Sequence, residues 1–269
     1  NLTISRRKEI TKAIGLILVF VLAFTALVGC GNGDSEEGSA EGGNKDITVV
    51  SREEGSGTRD GFTELMGIKV DDVDNTTSAA EISNSTSVVM TTVAGNANAI
   101  GYISLGSLND TVRAVKVDGV EATVENILAD KYPIYRPFNI VTNSNNDLSA
   151  LAQDFITFIM SKQGQDIITE EGYISEAESP AEYTQQNGLS GRIVLAGSTS
   201  VSPVMETLAD AYKEMYPDVE IEIQQTGSGA GITSTIEGAC DIGMASRAIK
   251  DEELAEGLEP TQIALDGIA

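Results

Sequence analysis

The hydrophobic and polar residues of this chain follow two periods that alternate from about residue 46 to its end. Apolar runs of roughly four to eight residues predict strands, and apolar residues spaced three or four apart predict the helices between them. This alternation of strands and helices predicts an α/β fold with mainly parallel sheets. The predicted strands are residues 47–51, 99–105, 112–117, 192–196, 219–223, 242–246 and 263–269, with an extended segment at 132–142.

The longest predicted helix covers residues 147–171, and Gly164 and Gly172 are expected to interrupt or end it. Apolar residues such as Leu151 and Phe155 recur there at the spacing of one helix face, and Asp147 has the side chain of an N-cap. The polar residues 176–191 then predict a linker. The other predicted helices are 58–65, 88–94, 124–128, 204–215, 227–237 and 251–256.

The N-terminal segment has the pattern of an export signal. Basic residues precede an uncharged apolar run at 13–28, which ends at Gly29 and Cys30. This run is shorter than the roughly 20 residues that span a bilayer as a helix, so a transmembrane anchor is the weaker alternative. The segment resembles a bacterial lipoprotein signal, which implies a signal peptide at 1–29 and a lipid anchor at Cys30 on the outer face of the cell membrane. Residues 30–45 are acidic and rich in glycine and serine, and they predict a flexible tether.

The composition excludes several classes of function. The formal net charge is −24, and such an acidic surface repels the phosphate backbone of nucleic acids. The chain has no histidine, which removes Ser-His-Asp and Cys-His catalysis and disfavours a catalytic zinc site. We therefore expect a binding protein that is not an enzyme and that uses no cofactor or metal.

Three connections between a predicted strand and the following helix are rich in glycine, serine and threonine, at residues 55–58, 197–200 and 227–229. Glycine lets the backbone approach a ligand, hydroxyl groups donate hydrogen bonds, and a helix N-terminus offers unpaired N–H groups with partial positive charge. An ordinary helix cap explains any one of them, but three together predict an oxyanion site at the carboxyl ends of the strands. Arg52 lies at the end of the first strand, where its guanidinium could bind an oxyanion through two parallel hydrogen bonds. The alternative role for Arg52 is an ordinary ion pair at the surface.

Four segments of the sequence resemble the phosphate-binding proteins of bacterial phosphate ABC transporters. They are SREEGSGTRD at 51–60, AGSTSVSP at 196–203, TGSGAG at 226–231 and DIGMASR at 241–247. The resemblance covers the chain from residue 46 onward and implies a two-lobed, periplasmic-binding-protein-like clamp that closes on phosphate. It also implies a membrane permease of an ABC transporter as the partner.

Carried over by position, the resemblance implies two lobes and eight phosphate-binding residues. One lobe covers residues 46–136 and the second covers 137–269, with its ligand loops at 197–247. Many members of the family have an aspartate where this chain has Ser246, and that carboxylate accepts the proton of hydrogen phosphate. The implied phosphate contacts are Arg52, Ser56, Gly57 and Thr58 from the first lobe, and Thr199, Ser200, Ser228 and Ser246 from the second.

The order of the matching segments differs from that of the family, in which the segment like 51–60 comes later. The chain is therefore predicted to be circularly permuted and incomplete at its C-terminus. The leading hypothesis is a lipoprotein that captures inorganic phosphate for an ABC importer. A receptor for sulfate, molybdate or tungstate is the first alternative, and a surface lipoprotein with a phosphatase or signalling role is the second.

Overall fold

The computed structural model describes residues 46–175, 177 and 179–269. The predicted signal peptide (1–29), the lipid anchor at Cys30 and the tether (30–45) lie outside the described residues, so they stay predictions. Within the described part, no helix is long and apolar enough to cross a membrane.

Strands and helices alternate through the described residues, as the periodicity predicts. The strands are β1 (Thr48–Arg52), β2 (Lys69–Val70), β3 (Val73–Asp74), β4 (Glu81–Ser83), β5 (Ala99–Ile100), β6 (Tyr135–Asn143), β7 (Gly191–Gly197), β8 (Val219–Gln225), β9 (Ile242–Ala245) and β10 (Leu258–Gly267). The helices are α1 (Gly57–Leu65), α2 (Thr86–Gly95), α3 (Val124–Leu128), α4 (Ala150–Met160), α5 (Lys162–Glu170), α6 (Ser202–Met215), α7 (Ser228–Ile236) and α8 (Asp251–Ala255).

Two larger sheets organise most of these elements, and β2 and β3 form a separate antiparallel pair. In a three-stranded sheet, β1 lies between β4 and β5 and is parallel to both. In a five-stranded sheet the order is β10-β6-β9-β7-β8, where β7 is parallel to β8 and β9 but β6 is antiparallel to β9 and β10. The expected parallel pairing therefore holds for β1 and β7 and is wrong for β6 and β10. The apolar pattern of a strand indicates that it is buried, and it does not indicate the direction of its neighbour.

Helices cover both faces of the five-stranded sheet. Phe138 and Ile140 of β6 belong to the largest core cluster, where they pack with side chains of α4, α5 and α6. Val141 of the same strand belongs to a smaller cluster with Ile232 of α7. Because successive residues of a strand point to opposite faces, this apolar strand anchors helical layers on both sides of the sheet.

The helix predicted at 147–171 is divided into α4 and α5, and the break lies at Ser161 instead of the expected Gly164. Ser161 separates them: its backbone is extended (ψ 169°), and its Oγ accepts a hydrogen bond from an N–H in the first turn of α5. Ser149, which accepts from the N–H of Ala152, caps α4 in place of the predicted Asp147. A serine side chain competes for backbone hydrogen bonds, so it ends one helix and begins another without altering the apolar spacing.

The predicted strand at 112–117 is also wrong. Among the described residues of this segment there is no strand, and an isolated bridge joins Val117 to Val120. Val115 is exposed. Alternating apolar residues form a strand only beside a partner strand, and this segment pairs with none in the described part. The predicted strand at 99–105 likewise ends at Ile100.

The described residues from 46 onward belong to one compact unit. β6 includes the predicted lobe boundary between residues 136 and 137. The predicted linker at 176–191 falls mostly between α5 and β7. The division into two lobes, the circular permutation and the C-terminal incompleteness stay predictions.

Candidate anion-binding site

Five connections between a strand and the following helix meet at one place: those of β1 to α1, β4 to α2, β7 to α6, β8 to α7 and β9 to α8. Arg52 Nη2 donates to Thr199 Oγ1 (3.0 Å), and the N–H of Thr86 donates to the same oxygen (3.3 Å). The N–H of Gly229 donates to the carbonyl oxygen of Gly55 (2.9 Å). Each connection leaves the carboxyl end of a parallel strand, which is the edge where open α/β sheets bind ligands.

The connection from β1 to α1 brings the backbone very close to the rest of this cluster. Ser56 caps α1 by accepting a hydrogen bond from the N–H of Arg59 (3.3 Å), so its hydroxyl serves the helix. Gly57 is the first residue of α1, and a Cβ at this position would lie 2.5 Å from Ser228 Oγ and 2.8 Å from Ser246 Oγ. Glycine therefore lets the free N–H groups at the start of α1 approach these hydroxyl groups.

Arg52 places a buried positive charge in the cluster, since its side chain is only 2% exposed. Nε and Nη2 each donate to one carboxylate oxygen of Glu53, both at 2.8 Å, and this bidentate pair fixes the plane of the guanidinium. Nη2 also donates to Thr199, and Nη1 donates to Thr86 Oγ1 (3.3 Å). The side chain of Glu53 is 24% exposed, so solvent screens the carboxylate more than the guanidinium.

Hydroxyl groups make up most of the remaining cluster. Thr58 Oγ1 lies 2.8 Å from Ser200 Oγ. On the other side, Ser198 Oγ donates to Ser246 Oγ (2.9 Å), and the N–H of Ser246 donates to a neighbouring serine hydroxyl at position 228 (3.1 Å). Because a hydroxyl both donates and accepts, these groups can turn their protons toward an anion. Buried donors around one cation are what a small desolvated oxyanion requires.

The structure brings all eight residues predicted from the sequence into this cluster, although Ser56 uses its side chain as a helix cap. Two further members, Thr86 and Ser198, are absent from the sequence prediction. Thr86 follows the short strand β4, which the apolar pattern does not predict, and the connection between β4 and α2 has no glycine. The sequence signal that could have located Thr86 is the Ser-Thr pair at 85–86, which is typical of a helix cap, before an apolar helix. Ser198 lies within the predicted turn at 197–200.

An ion-pair network around Arg247 borders the cluster. Its two Nη atoms donate to the two carboxylate oxygens of Glu253 (2.8 and 2.7 Å), and its Nε lies 3.2 Å from Asp60 Oδ2. Burial alone would raise the pKa of Glu253, but hydrogen bonds from Arg247 and from the N–H of Lys250 outweigh it and lower that pKa. Burial raises the pKa of Asp60, and the charge of Arg247 opposes this shift. Since Asp60 lies in α1 and Arg247 follows β9, the network joins two sides of the cluster.

Comparison with known proteins gives a consistent set of similarities. The family model described as the PBP superfamily domain matches residues 34–163 and 176–269. The phosphate-binding protein PstS 2 of Streptococcus pneumoniae is 51% identical over 247 residues, which cover 90% of this chain and 83% of that protein. PstS 2 of Streptococcus agalactiae is 46% identical over 264 residues, which cover 96% of this chain and 87% of that protein.

A solved structure of a phosphate-binding protein also matches most of this chain. The crystal structure of a phosphate-binding protein of a phosphate ABC transporter from Streptococcus pneumoniae superposes with a TM-score of 0.65. Its sequence identity is 52%, and the match covers 84% of this chain and 88% of that one.

Proposed function

Since the chain belongs to the phosphate-binding proteins of the PBP superfamily, we propose that it captures inorganic phosphate outside the cytoplasm and delivers it to the permease of an ABC importer. Its relatives are substrate-binding proteins of transporters, and the chain is not an enzyme. The observation that carries the proposal is the convergence of buried Arg52 with serine and threonine hydroxyl groups from five strand-to-helix connections.

The eight predicted residues divide the work of holding a tetrahedral anion. Arg52 supplies the charge, and Ser56, Gly57 and Thr58 supply the N-terminal N–H groups of α1 and one hydroxyl. The other four residues, which follow β7, β8 and β9, supply donors from the opposite side: their own hydroxyl groups and the N–H groups near the starts of α6 and α7. Helix N-termini favour anions because their N–H groups are unpaired and carry partial positive charge. The four residues that follow β7, β8 and β9 are Thr199, Ser200, Ser228 and Ser246.

The acidity of the chain is compatible with an anionic ligand. The net charge is −24, but surface charges beyond about 8 Å are largely screened at physiological ionic strength. The guanidinium of Arg52 and the hydroxyl groups act at hydrogen-bond distance in a buried place, where screening is weak. Short-range donors therefore decide affinity, and the acidic surface affects mainly the rate of association.

Closure of a clamp around the anion is supported by the contacts between distant parts of the sequence. The ion pair of Arg247 with Asp60 and the hydrogen bond between Thr58 and Ser200 both join the predicted first lobe (46–136) to the predicted second lobe (137–269). Such contacts form when two lobes approach each other and break when they separate. We assign these contacts to the closed state of the predicted two-lobed clamp.

The place of action rests on the N-terminal sequence. A basic segment, an apolar run and Gly29-Cys30 support export, with acylation of Cys30 and anchoring to the outer face of the cell membrane. The acidic segment at 30–45 would let the anchored protein reach its permease.

Calorimetric titration of the whole protein with inorganic phosphate tests the proposal, with sulfate and molybdate titrated in parallel. We expect saturable binding of one phosphate per chain and no comparable response to the other two anions. Saturation by sulfate or molybdate in place of phosphate would assign the site to another oxyanion. No binding of any of the three would contradict the proposed phosphate receptor.

A further inference from the structure

The connection between β4 and α2 brings Thr86 into the cluster, although no sequence motif of the site includes it. Thr86 is the first residue of α2, and it is only 4% exposed. Its Oγ1 lies 3.3 Å from Arg52 Nη1 and 3.0 Å from Ser200 Oγ. Its N–H donates to Thr199 Oγ1 (3.3 Å). One buried residue thus contacts three of the residues that the proposed function places around the anion.

The hydrogen bonds of Arg52 show what Thr86 contributes. A guanidinium has five N–H donors and no acceptor. Two of those in Arg52 bond to Glu53 and one bonds to Thr199. Among the described residues, Thr86 is the acceptor that Nη1 reaches. Glu53 therefore binds the Nε–Nη2 side of the guanidinium, and Thr86 binds Nη1 on the opposite side. Contacts on both sides keep the guanidinium plane directed toward the cluster.

The hydroxyl of Thr86 also takes part in the neighbouring hydrogen bonds. Arg52 can only donate, so Thr86 Oγ1 accepts from it. The hydroxyl proton of Thr86 can then go to Ser200 Oγ (3.0 Å), which lies closer than its other neighbour, Thr199 Oγ1 (3.4 Å). Ser200 can then donate to Thr58 Oγ1, 2.8 Å away. In this arrangement the bonds run one way from Arg52 to Thr58, and consecutive bonds of this kind polarise one another. The hydroxyl proton of Thr58 is then free for a ligand.

The start of α2 supports this arrangement. Ser85 caps the helix by accepting a hydrogen bond from the N–H of Val88 (3.2 Å). The N–H of Thr86 is one of the four that an α-helix leaves without an internal partner, and it bonds to Thr199 instead. The backbone of Thr86 is thereby fixed at the point where its side chain meets Arg52.

We propose that Thr86 is a positioning residue of the anion site: its hydroxyl accepts from Arg52 and holds the guanidinium in place, and it links Arg52 to the hydroxyl groups of Ser200 and Thr58. This inference rests on the proposed function, because it concerns how the same site holds its anion.

Three variants of the whole protein test the role by calorimetric titration with inorganic phosphate. Thr86→Val removes the hydroxyl and keeps the shape, and we expect it to bind phosphate about 10-fold more weakly, a loss typical of one hydrogen bond to a charged group. Thr86→Ser keeps the hydroxyl and should stay within about threefold of wild type. Thr91→Val is the matched control in the same helix, since Thr91 is exposed and its hydroxyl donates to the carbonyl of Ser87.

Thermal unfolding without phosphate shows whether each variant is folded, and Thr86→Ala replaces Thr86→Val if the latter is not. Wild-type affinity in the folded variant without the hydroxyl would overturn the role of Thr86 and leave the proposed function standing. Equal losses in Thr86→Val and Thr86→Ser would show that the hydroxyl does not carry the effect. A wild-type protein that binds no phosphate would overturn the proposed function, and this inference with it.

Discussion

We expect the Arg52→Met protein to bind phosphate about 100- to 1,000-fold more weakly than wild type. Removing one partner of a buried, hydrogen-bonded charge pair costs about 2–5 kcal/mol, and 1.4 kcal/mol corresponds to a factor of ten. Arg52 is buried, and it bonds to Glu53, Thr86 and Thr199. Methionine keeps much of the volume of the side chain but supplies neither charge nor donors. Calorimetric titration of both proteins with phosphate measures the loss.

Arg192→Met is the matched control for this variant. Arg192 lies at the end of β7 that is far from the cluster, and its side chain is 52% exposed. It forms ion pairs with Glu220 and Glu222 of the neighbouring strand β8. Its removal changes the net charge of the protein by the same amount, so any general electrostatic effect appears in both variants. We expect the control to bind phosphate within about twofold of wild type, because exposed charges are well screened. Equal affinities of the Arg52→Met and control proteins would contradict the assignment of Arg52.

The Asp266→Asn protein is expected to lose about 3–5 kcal/mol of its free energy of unfolding, which is the usual cost of leaving a buried charge without its partner. Asp266 and Arg136 are opposite residues of β10 and β6, and their side chains are almost fully buried. Arg136 Nη2 donates to Asp266 Oδ2 (2.9 Å), while Ser104 Oγ and the N–H of Gly106 donate to Oδ1 (2.8 and 3.3 Å). Burial raises the pKa of Asp266 and lowers that of Arg136, and the ion pair opposes both shifts.

Denaturant unfolding of two further variants separates this effect from a general loss of charge. Asp166→Asn breaks the exposed pair with Lys162 on α5, and we expect it to cost less than about 1 kcal/mol. The double variant Arg136→Met with Asp266→Asn removes both buried charges, keeps an acceptor for Ser104 and Gly106, and should recover part of the stability lost in Asp266→Asn. A loss in Asp266→Asn no larger than that in Asp166→Asn would mean that the buried pair does not stabilise the fold.

Eight residues of the site could be predicted from the sequence because they lie at or just after the ends of strands, most of them in turns rich in glycine and serine. The parallel pairing of β7 with β8 places Thr199 and Ser228 at one edge of the five-stranded sheet. Arg52 ends β1 of the three-stranded sheet, and only the family resemblance implied that it meets them. Thr86 escaped prediction because β4 has only three residues and an exposed Ile82, so its apolar signal is weak. The contact between Thr86 and Arg52 depends on the pairing of β4 with β1, which single-sequence periodicity does not contain.

The fold was less predictable than the site in two places. The antiparallel pairing of β6 with β10 depends on the path of the chain between them and not on the residues of either strand. Ser161 ends α4 and caps α5 through local hydrogen bonds, and the apolar residues keep the same spacing on both sides. Periodicity therefore indicated one helix where backbone hydrogen bonding makes two.

The location of the bound anion is the most direct test of the function proposed for this protein. Arsenate has the charge and tetrahedral shape of phosphate, and its anomalous scattering marks its position in a crystal of the whole protein. We expect one arsenate per chain within about 3 Å of the Arg52 guanidinium and of hydroxyl groups from both the 56–58 and 199–200 turns. Arsenate bound elsewhere, with none beside Arg52, would contradict the proposed site.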